Sequence, residues 1–353
     1  MHELLGARLH VANGADFFER TFTAEDPAWL AHHRIAGAVV MPMTAYLEMA
    51  WAAARIAVPG AVALENVEVA APMRFTGTDP RIVQVSVEPG SAGATDRVRI
   101  HSRGHDDTNW QLHASCVVSR TSASAPASRP TLADIEATLP GAVDVSAFYG
   151  RLAAMGVEFG AAFQGMTGGR FGDGEAMADV VAPGQVAAGS AAFNLHPALL
   201  DACFHASAEA MDRLPGADDG RLYLPVGVDR IEWRGAPEGA LRSHARIRPP
   251  LTRGEMLVLD IRVETPDGRA VVDISGLRCR RASRQMFRQA LDAQVEPWLY
   301  AREWEPAPAQ VSGDGRSQNW LVFDEGGGVG RALADEIAQR GSRVTRVVAA
   351  PGR

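Results

Sequence analysis

The sequence predicts an α+β protein made of two units with the same internal order, and three observations carry the prediction. Two well-separated segments, 44–56 and 197–214, place apolar residues at helical spacing. Each is followed by runs in which aliphatic and polar residues alternate, the period of half-buried antiparallel strands. Between the two sets lies TSASAPASRP, Thr121 to Pro130, rich in Ser, Ala and Pro and without an apolar period, which reads as an exposed linker. The expected boundaries are a first unit at 1–122, a linker at 123–141, a second unit at 142–296, and a connector with a truncated βαβ tail at 297–353.

In the first unit, Leu47, Ala50, Trp51 and Ala54 form the core stripe of a helix from Thr44 to Ile56. Pro42 lies just ahead of it, where it sets the entry geometry without removing a needed intrahelical donor. Val83, Val85 and Val87 then alternate, and VRIHS and WQLHASCVVS continue as strands. In the second unit, short strands are expected around Gly156 to Arg170, then a helix from Pro197 to Leu214 carrying Leu200, Cys203, Phe204, Ala208 and Met211. Strands follow at RLYLPVGVDRIEW, LRSHARIRP, MLVLDIRVE and AVVDISGLRCR. The halves do not align residue by residue, so the repeat is one of organisation. Beyond Trp298, REWEPAPAQ is a connector, and NWLVFDEGGGVGRALADEIAQRGSRVTRVV reads as strand, glycine turn, helix, strand. Its glycines at 326, 327, 328 and 330 miss the pattern G-x-G-x-x-G, because Arg331 holds the final position. A βαβ unit cut after its second strand also cannot complete a dinucleotide crevice.

At 353 residues the chain can bury two or three separate cores. Its 22% charged residues and net charge of -7, with no basic stretch, argue against a nucleic-acid partner. Cys116, Cys203 and Cys279 are odd in number and far apart, which speaks against a disulfide framework or a cysteine zinc site and fits a reducing cytoplasm. No apolar run reaches the roughly 18 residues of a membrane span, and MHELLGARLH lacks a signal layout. The leaderless start and the end VVAAPGR, just after a strand-like run, read as a piece of a longer polypeptide.

Chemistry gathers at two places. In AHHRIAGAVVMPMTAYLEMA, His33, Gly37 and Pro42 stand in an H-x-x-x-G-x-x-x-x-P pattern. An imidazole, with an ordinary pKa of about 6.5, is the natural side chain to take a proton near neutral pH. Gly37 permits close backbone approach, and the helix start after Pro42 offers free N–H groups and the positive end of a dipole to a carbonyl. His32 competes for the role of base, and a histidine in an Ala/Val-rich segment also fits a purely structural place. In HPALLDACFHA, Asp201 and His205 are four apart on one helix face, with Leu200, Cys203 and Phe204 making the surroundings apolar. A carboxyl there is expected to be paired or protonated, and a protonated one can hand its proton to a leaving hydroxyl. The plainer reading is an acidic residue in the first turns meeting the helix dipole. Together a base and an acid are the minimum for drawing a proton from one carbon and a hydroxyl from the next. His33, Asp201 and His205 also supply the residue types of a two-histidine, one-carboxylate iron site, a reading that gives Gly37 and Pro42 no task.

These residues resemble the dehydratase domains of modular polyketide synthases, relatives of the dehydratase of animal fatty acid synthase. HELLGARL is similar to the family's HPLLG opening, and WLAHHRIAGAVVMPMTAYLEMA to its WLxDHxVxGxxxxPGxAxLE motif. HPALLDACFH is similar to HPxLLDxxxQ/H, and LPVGV, Leu224 to Val228, to the LPxxx element that follows. The likeness covers residues 1–296, with the motifs in the family's order. The tail after Trp298 resembles the opening of the structural half of a ketoreductase domain.

The resemblance implies a double hotdog, an N-terminal hotdog at 1–122 and a C-terminal hotdog at 142–296, each a long helix wrapped by an antiparallel sheet, with one active site at their junction. It implies a 3-hydroxyacyl thioester substrate on the phosphopantetheine arm of an acyl carrier protein, and no cofactor of the domain's own. His33 would remove the C2 proton, the helix start near Gly37 would polarise the thioester carbonyl, and Asp201, helped by His205, would protonate the departing 3-hydroxyl. The implied pocket is drawn from Met43, Val157, Phe159, Gly160, Phe163, Leu224 and Pro225, with Pro42 shaping the helix entry. Implied partners are the carrier protein and neighbouring ketoreductase and acyltransferase domains, with a homodimer as a family expectation.

The pattern is not kept everywhere. The family's GYxYGPxF appears as GVEFGAAF, Gly156 to Phe163. Phe159 stands where a tyrosine hydroxyl would contact the leaving group, Ala161 replaces the proline, and Val157 replaces a larger residue. His32 replaces the aspartate before the catalytic histidine, and Met43 the glycine after Pro42. A lost hydrogen bond of about 1–3 kcal/mol would slow dehydration without abolishing it. Two alternatives stay open: a dehydratase-cyclase that closes a pyran by oxa-Michael addition of a distal hydroxyl, and a degenerate domain kept for architecture or carrier docking. The retained Pro42 and Asp201 speak against relatives that only shift double bonds.

Overall fold

Val83, Val85 and Val87, which alternate with polar residues in the sequence, are 1%, 1% and 3% exposed; Gln84 between them is half-buried and Ser86 is buried. The computed structural model describes residues 2–9, 11–12, 14–77, 79–90, 95–120, 130–214, 222–235, 237, 239–251, 254–282, 319–324 and 328–348. By contacts the chain divides into two units, Met1–Glu296 and Pro297–Arg353.

The first half of the large unit contains β1 (Ala7–Leu9), β2 (Asp16–Phe22), β3 (His33–Ile35), β4 (Ala38–Val40), α1 (Met43–Ala57), β5 (Ala63–Val69), β6 (Arg74–Phe75), β7 (Arg81–Glu88), β8 (Arg97–Gly104) and β9 (Gln111–Ser119). The second half contains α2 (Leu132–Thr138), β10 (Gly141–Ala142), α3 (Val145–Ala154), β11 (Val157–Phe159), β12 (Met166–Gly172), β13 (Glu175–Val180), α4 (Gly184–Gly189) and α5 (Pro197–Asp212). It closes with β14 (Leu222–Trp233), β15 (Leu241–Ile247), β16 (Met256–Glu264) and β17 (Ala270–Ala282).

Thirteen strands form one sheet in the order β1-β2-β7-β8-β9-β5-β14-β17-β16-β15-β13-β12-β10. The halves meet edge to edge where β5 pairs antiparallel with β14, from Gly227 opposite Glu68 to Glu232 opposite Ala63. Helix α1 packs on β5, β7, β8 and β9, and α5 on β12, β13, β15 and β16, so each helix lies against its own half of the sheet. The two helices also touch each other. Across this seam the rings of Trp51 and Trp233 stack at 4.6 Å and 5°.

The expected helices are present within a residue or two of their predicted ends, but α1 carries more than a stripe. Every residue from Met43 to Ala54 is buried, Glu48 included. A buried carboxylate needs hydrogen-bond partners from the surrounding protein. Glu48 finds them by accepting from the backbone N–H of Asn194 (2.7 Å), the Asn194 amide (3.0 Å) and the Leu195 N–H (3.3 Å), and by meeting His2 Nε2 at 2.9 Å.

A second sheet, β11-β3-β4-β6, crosses between the halves. Its first strand belongs to the second half and its other three to the first, which the repeated order in the sequence did not predict. The expected linker also differs. Residues 121–129 lie outside the described residues, whereas 131–141 hold α2, started by a capping box in which Thr131 and Asp134 satisfy each other's backbone N–H. The Thr-x-x-Asp signal was present in the sequence, hidden by the Ser/Pro composition just before it. Helix α3 was likewise not anticipated, although Asp144 caps it through the Ala147 N–H (2.9 Å) and Phe148 and Leu152 give it a buried side.

In the small unit, β18 (Asn319–Asp324) and β19 (Arg343–Val348) pair in parallel and are joined by α6 (Val329–Gln339). The connector REWEPAPAQ and Gly326 and Gly327 lie outside the described residues. No helix among the described residues is long and apolar enough to cross a membrane.

Candidate active site

The two-residue turn between β3 and β4 has Ala36 at φ 50° and Gly37 at φ 82°, the left-handed pair that makes a tight hairpin. That hairpin returns the chain beside itself, so the Val40 carbonyl meets the ring of His33. His33 Nδ1 donates to it at 2.8 Å. A carbonyl only accepts, so the ring proton sits on Nδ1 and the lone pair on Nε2. His33 is 7% exposed. Burial pushes its pKa below 6.5, opposed in part by the nearby charge of Asp201. Its neutral, basic form is therefore favoured.

The second half supplies the surroundings of that base. β11 runs antiparallel to β3 with Phe159 opposite His33, anchored by Ala36 N–H to the Gly156 carbonyl and Gly160 N–H to the His32 carbonyl, both 2.7 Å. The Phe159 and Phe163 rings lie 5.6 and 5.2 Å from the His33 ring. Helix α5 begins at Pro197, with His196 as its cap through the Ala198 N–H, and carries Asp201 and His205 one turn apart. His205 Nε2 and Asp201 Oδ2 are 3.5 Å apart, with the two side chains 4% and 13% exposed.

His33, Asp201 and His205 face one cavity of about 390 Å³. Its remaining wall is largely apolar and includes Met43, Val157, Phe159 and Phe204, together with Leu222–Val226, where β14 runs past the end of β5. Exposed Arg280 lies on its lining too. Cys279 is also on the wall, and burial pushes its thiol up to about 12, so it stays protonated.

Of the residues singled out in the sequence, His33, Asp201, His205, Pro42, Met43, Val157, Phe159, Leu224 and Pro225 all line this cavity. Three do not. Gly37 is exposed in the β3–β4 turn, so it shapes the hairpin, and the helix start that reaches the cavity is at Met43 instead. Gly160 serves a close approach: a Cβ there would lie 2.8 Å from His32 Cβ. Phe163 backs His33 from the core at 0% exposure. His32, the rival base, is occupied elsewhere, its Nδ1 accepting from the Ala162 N–H at 3.1 Å, and it does not line the cavity. One residue was missed. Tyr149, on the unanticipated α3, brings its hydroxyl 3.2 Å from His205 Nδ1. Among the described residues no three His, Cys, Asp or Glu side chains have the arrangement of a metal site, so the iron reading finds no ligand set.

A family model described as polyketide synthase dehydratase domain matches residues 2–103, and one described as polyketide synthase dehydratase N-terminal domain matches residues 127–289. The chain belongs to the dehydratase domains of modular type I polyketide synthases. This dehydratase domain is 30% identical over 329 residues to the mycoketide-CoA synthase of Mycobacterium tuberculosis, covering 92% of this chain and 7% of that protein. It therefore spans a small part of the curated relative it matches. Two inactive mutants of the CurK dehydratase have similar structures, one with a histidine replaced by phenylalanine and one with an aspartate replaced by asparagine. Both are 25% identical; the TM-scores are 0.72 and 0.71, and 80% of this chain and 99% and 100% of those chains are covered. The dehydratase fold seen here is a double hotdog.

Proposed function

We propose that this domain dehydrates a 3-hydroxyacyl thioester, presented on the phosphopantetheine arm of an acyl carrier protein, to a 2,3-enoyl thioester and water. The observation that carries the reading is the hydrogen bond from His33 Nδ1 to the Val40 carbonyl, which leaves a basic Nε2 in a cavity shared with Asp201. His33 Nε2 takes the C2 proton. The electron pair of the broken C2–H bond forms the C2=C3 double bond as the C3–O bond breaks, and Asp201, as general acid, gives the leaving hydroxyl the proton that makes it water. The first-turn N–H groups of α1 at Met43, which no side chain caps, meet the thioester oxygen as charge builds on it. The loss of activity of the CurK dehydratase on replacing one histidine or one aspartate supports a histidine and an aspartate as the working pair.

His33 and Asp201 are the catalytic pair in this reading, His205 supports the acid, and the domain uses no cofactor of its own. The arm enters along Leu224 and Pro225, with Arg280 as a cation for its phosphate. Arg151 and Arg170 are spoken for: Arg151 pairs with Glu209 at 2.8 Å, and Arg170 donates to the Leu139 carbonyl at 2.7 Å. The carrier protein, neighbouring ketoreductase and acyltransferase domains and a second copy of the domain are its partners in a cytoplasmic synthase, and the βαβ tail is the start of a ketoreductase structural half.

The test is to incubate the purified chain with a 3-hydroxyacyl pantetheine thioester bearing a distal hydroxyl and to follow products by mass and chromatography. Loss of water is expected, and its absence overturns the proposal. Conversion of the enoyl product to an isomer of equal mass would identify the ring-closing activity. His33→Ala and Asp201→Asn should each abolish turnover; full activity in either refutes its role.

A further inference from the structure

The role of Asp201 as acid leaves its neighbour's chemistry open, and that is decided one residue farther back. His205 Nε2 is buried, points toward Asp201 and has no hydrogen-bond partner among the described residues, the carboxylate oxygen standing off at 3.5 Å. Its other nitrogen, Nδ1, lies 3.2 Å from the hydroxyl of Tyr149. That hydroxyl oxygen already accepts the Met166 N–H at 3.2 Å. Its own proton has two acceptors within reach, His205 Nδ1 at 3.2 Å and the Phe163 carbonyl at 3.5 Å, and the nearer is the imidazole. Donation to Nδ1 requires the ring proton to be on Nε2, the atom that faces Asp201.

We propose that Tyr149 is a positioning residue for the dehydration: its hydroxyl holds His205 as the Nε2–H tautomer, so that His205 donates toward the carboxylate that develops as Asp201 gives up its proton. The proposal rests on the dehydratase reading and names what sets the acid's partner. Two further observations give it weight. The ring of His205 is clamped by Phe148 at 5.6 Å and Phe159 at 4.7 Å, so its orientation is fixed by packing and only the proton's position is left to the hydroxyl. Phe159, whose ring lies 4.7 Å from that of His205, carries no hydroxyl, so it supplies no donor there in place of His205. Tyr149 itself does not line the cavity, so it acts through His205 and not on substrate.

Tyr149→Phe removes the hydroxyl and keeps the ring. The wild-type chain, Tyr149→Phe, His205→Ala and the double variant are compared on the same 3-hydroxyacyl pantetheine thioester, and the ring nitrogens of His205 are read by 15N NMR of histidine-labelled protein, assigned with His205→Ala. In Tyr149→Phe, kcat should fall roughly tenfold, the worth of one buried hydrogen bond, with KM within about twofold. The same substitution should cost nothing further once His205 is alanine. Wild-type His205 should show a protonated Nε2 and an unprotonated Nδ1, and Tyr149→Phe should lose that single pattern. An equal loss of kcat in the His205→Ala background, an unchanged kcat in the single variant, or a wild-type ring protonated on Nδ1 overturns the proposal. The NMR reading needs no turnover, so it stands apart from any failure of the dehydratase reading.

Discussion

Acidification from pH 8 to pH 5 should weaken the fold by about 4 kcal/mol, through two buried histidines that are not part of the catalytic pair. His113 is 0% exposed, between the Ala71 carbonyl (3.0 Å) and the Ser102 hydroxyl (2.7 Å), and His196 is 2% exposed at the cap of α5. Burial lowers both pKa values to about 4. In the unfolded chain each returns to about 6.5. Between those values the unfolded chain binds protons that the folded chain refuses. Their stabilisation is thus complete above pH 6.5 and is lost as the pH falls toward 4. At pH 5 the difference is about 2 kcal/mol for each histidine, a large share of the 5–15 kcal/mol typical of a domain. The lowered pKa of His33 adds in the same direction. Urea unfolding followed by tryptophan fluorescence at pH 8, 7, 6 and 5 measures the loss, and a His113→Gln/His196→Asn variant should show a much shallower dependence whatever its absolute stability. An equal slope in that variant between pH 6.5 and pH 5 would refute the reasoning. The acid limb of activity must then be separated from unfolding, because the lowered pKa of His33 moves the loss of its basic form toward the pH range in which the fold weakens.

Three more outcomes are expected. Phe159→Tyr puts a hydroxyl on a ring 4.7 Å from His205 and 5.6 Å from His33, and should raise kcat several-fold in the thioester assay; no change would mean that the hydroxyl does not reach the leaving group. Glu48→Gln removes the charge that organises His2, Asn194 and Leu195 and should cost about 2 kcal/mol in urea unfolding, with a cost near zero counting against that network. Gly160→Ala drives a methyl group to within 2.8 Å of His32, spreads β11 from β3, and should lower kcat at least about tenfold although no cavity residue has changed. Wild-type activity there would show that the spacing of the two strands is not critical.

The sequence carried the two central helices because each sets more than ten residues at one period, and it carried the strands of the large sheet because their alternation is regular. Asp201 and His205 were legible as a pair since a helix converts spacing directly into proximity. The contact between His33 and Phe159 was not, because 126 positions separate them and three-residue strands have too few residues to show a period. Gly37 was misjudged for a related reason: a glycine near a histidine in sequence can serve the turn that aims the ring, without itself approaching a ligand. Tyr149 went unseen because α3 is short, and Asp144 at its cap with Phe148 and Leu152 on its buried side are too few to show a helical period.

The pairing of β11 with β3 makes the residues after Gly156 an exchangeable insert. Its anchors are main-chain bonds, Ala36 to Gly156 and Gly160 to His32, which any side chain at 157 or 159 leaves intact. Val157 and Phe159 alternate with exposed Glu158, so both point to the cavity from a strand held independently of what they are. Replacing those two side chains resizes the wall beside the base while the base keeps its carbonyl partner, which makes a short stretch of one hotdog the dial for what the other hotdog's histidine can reach.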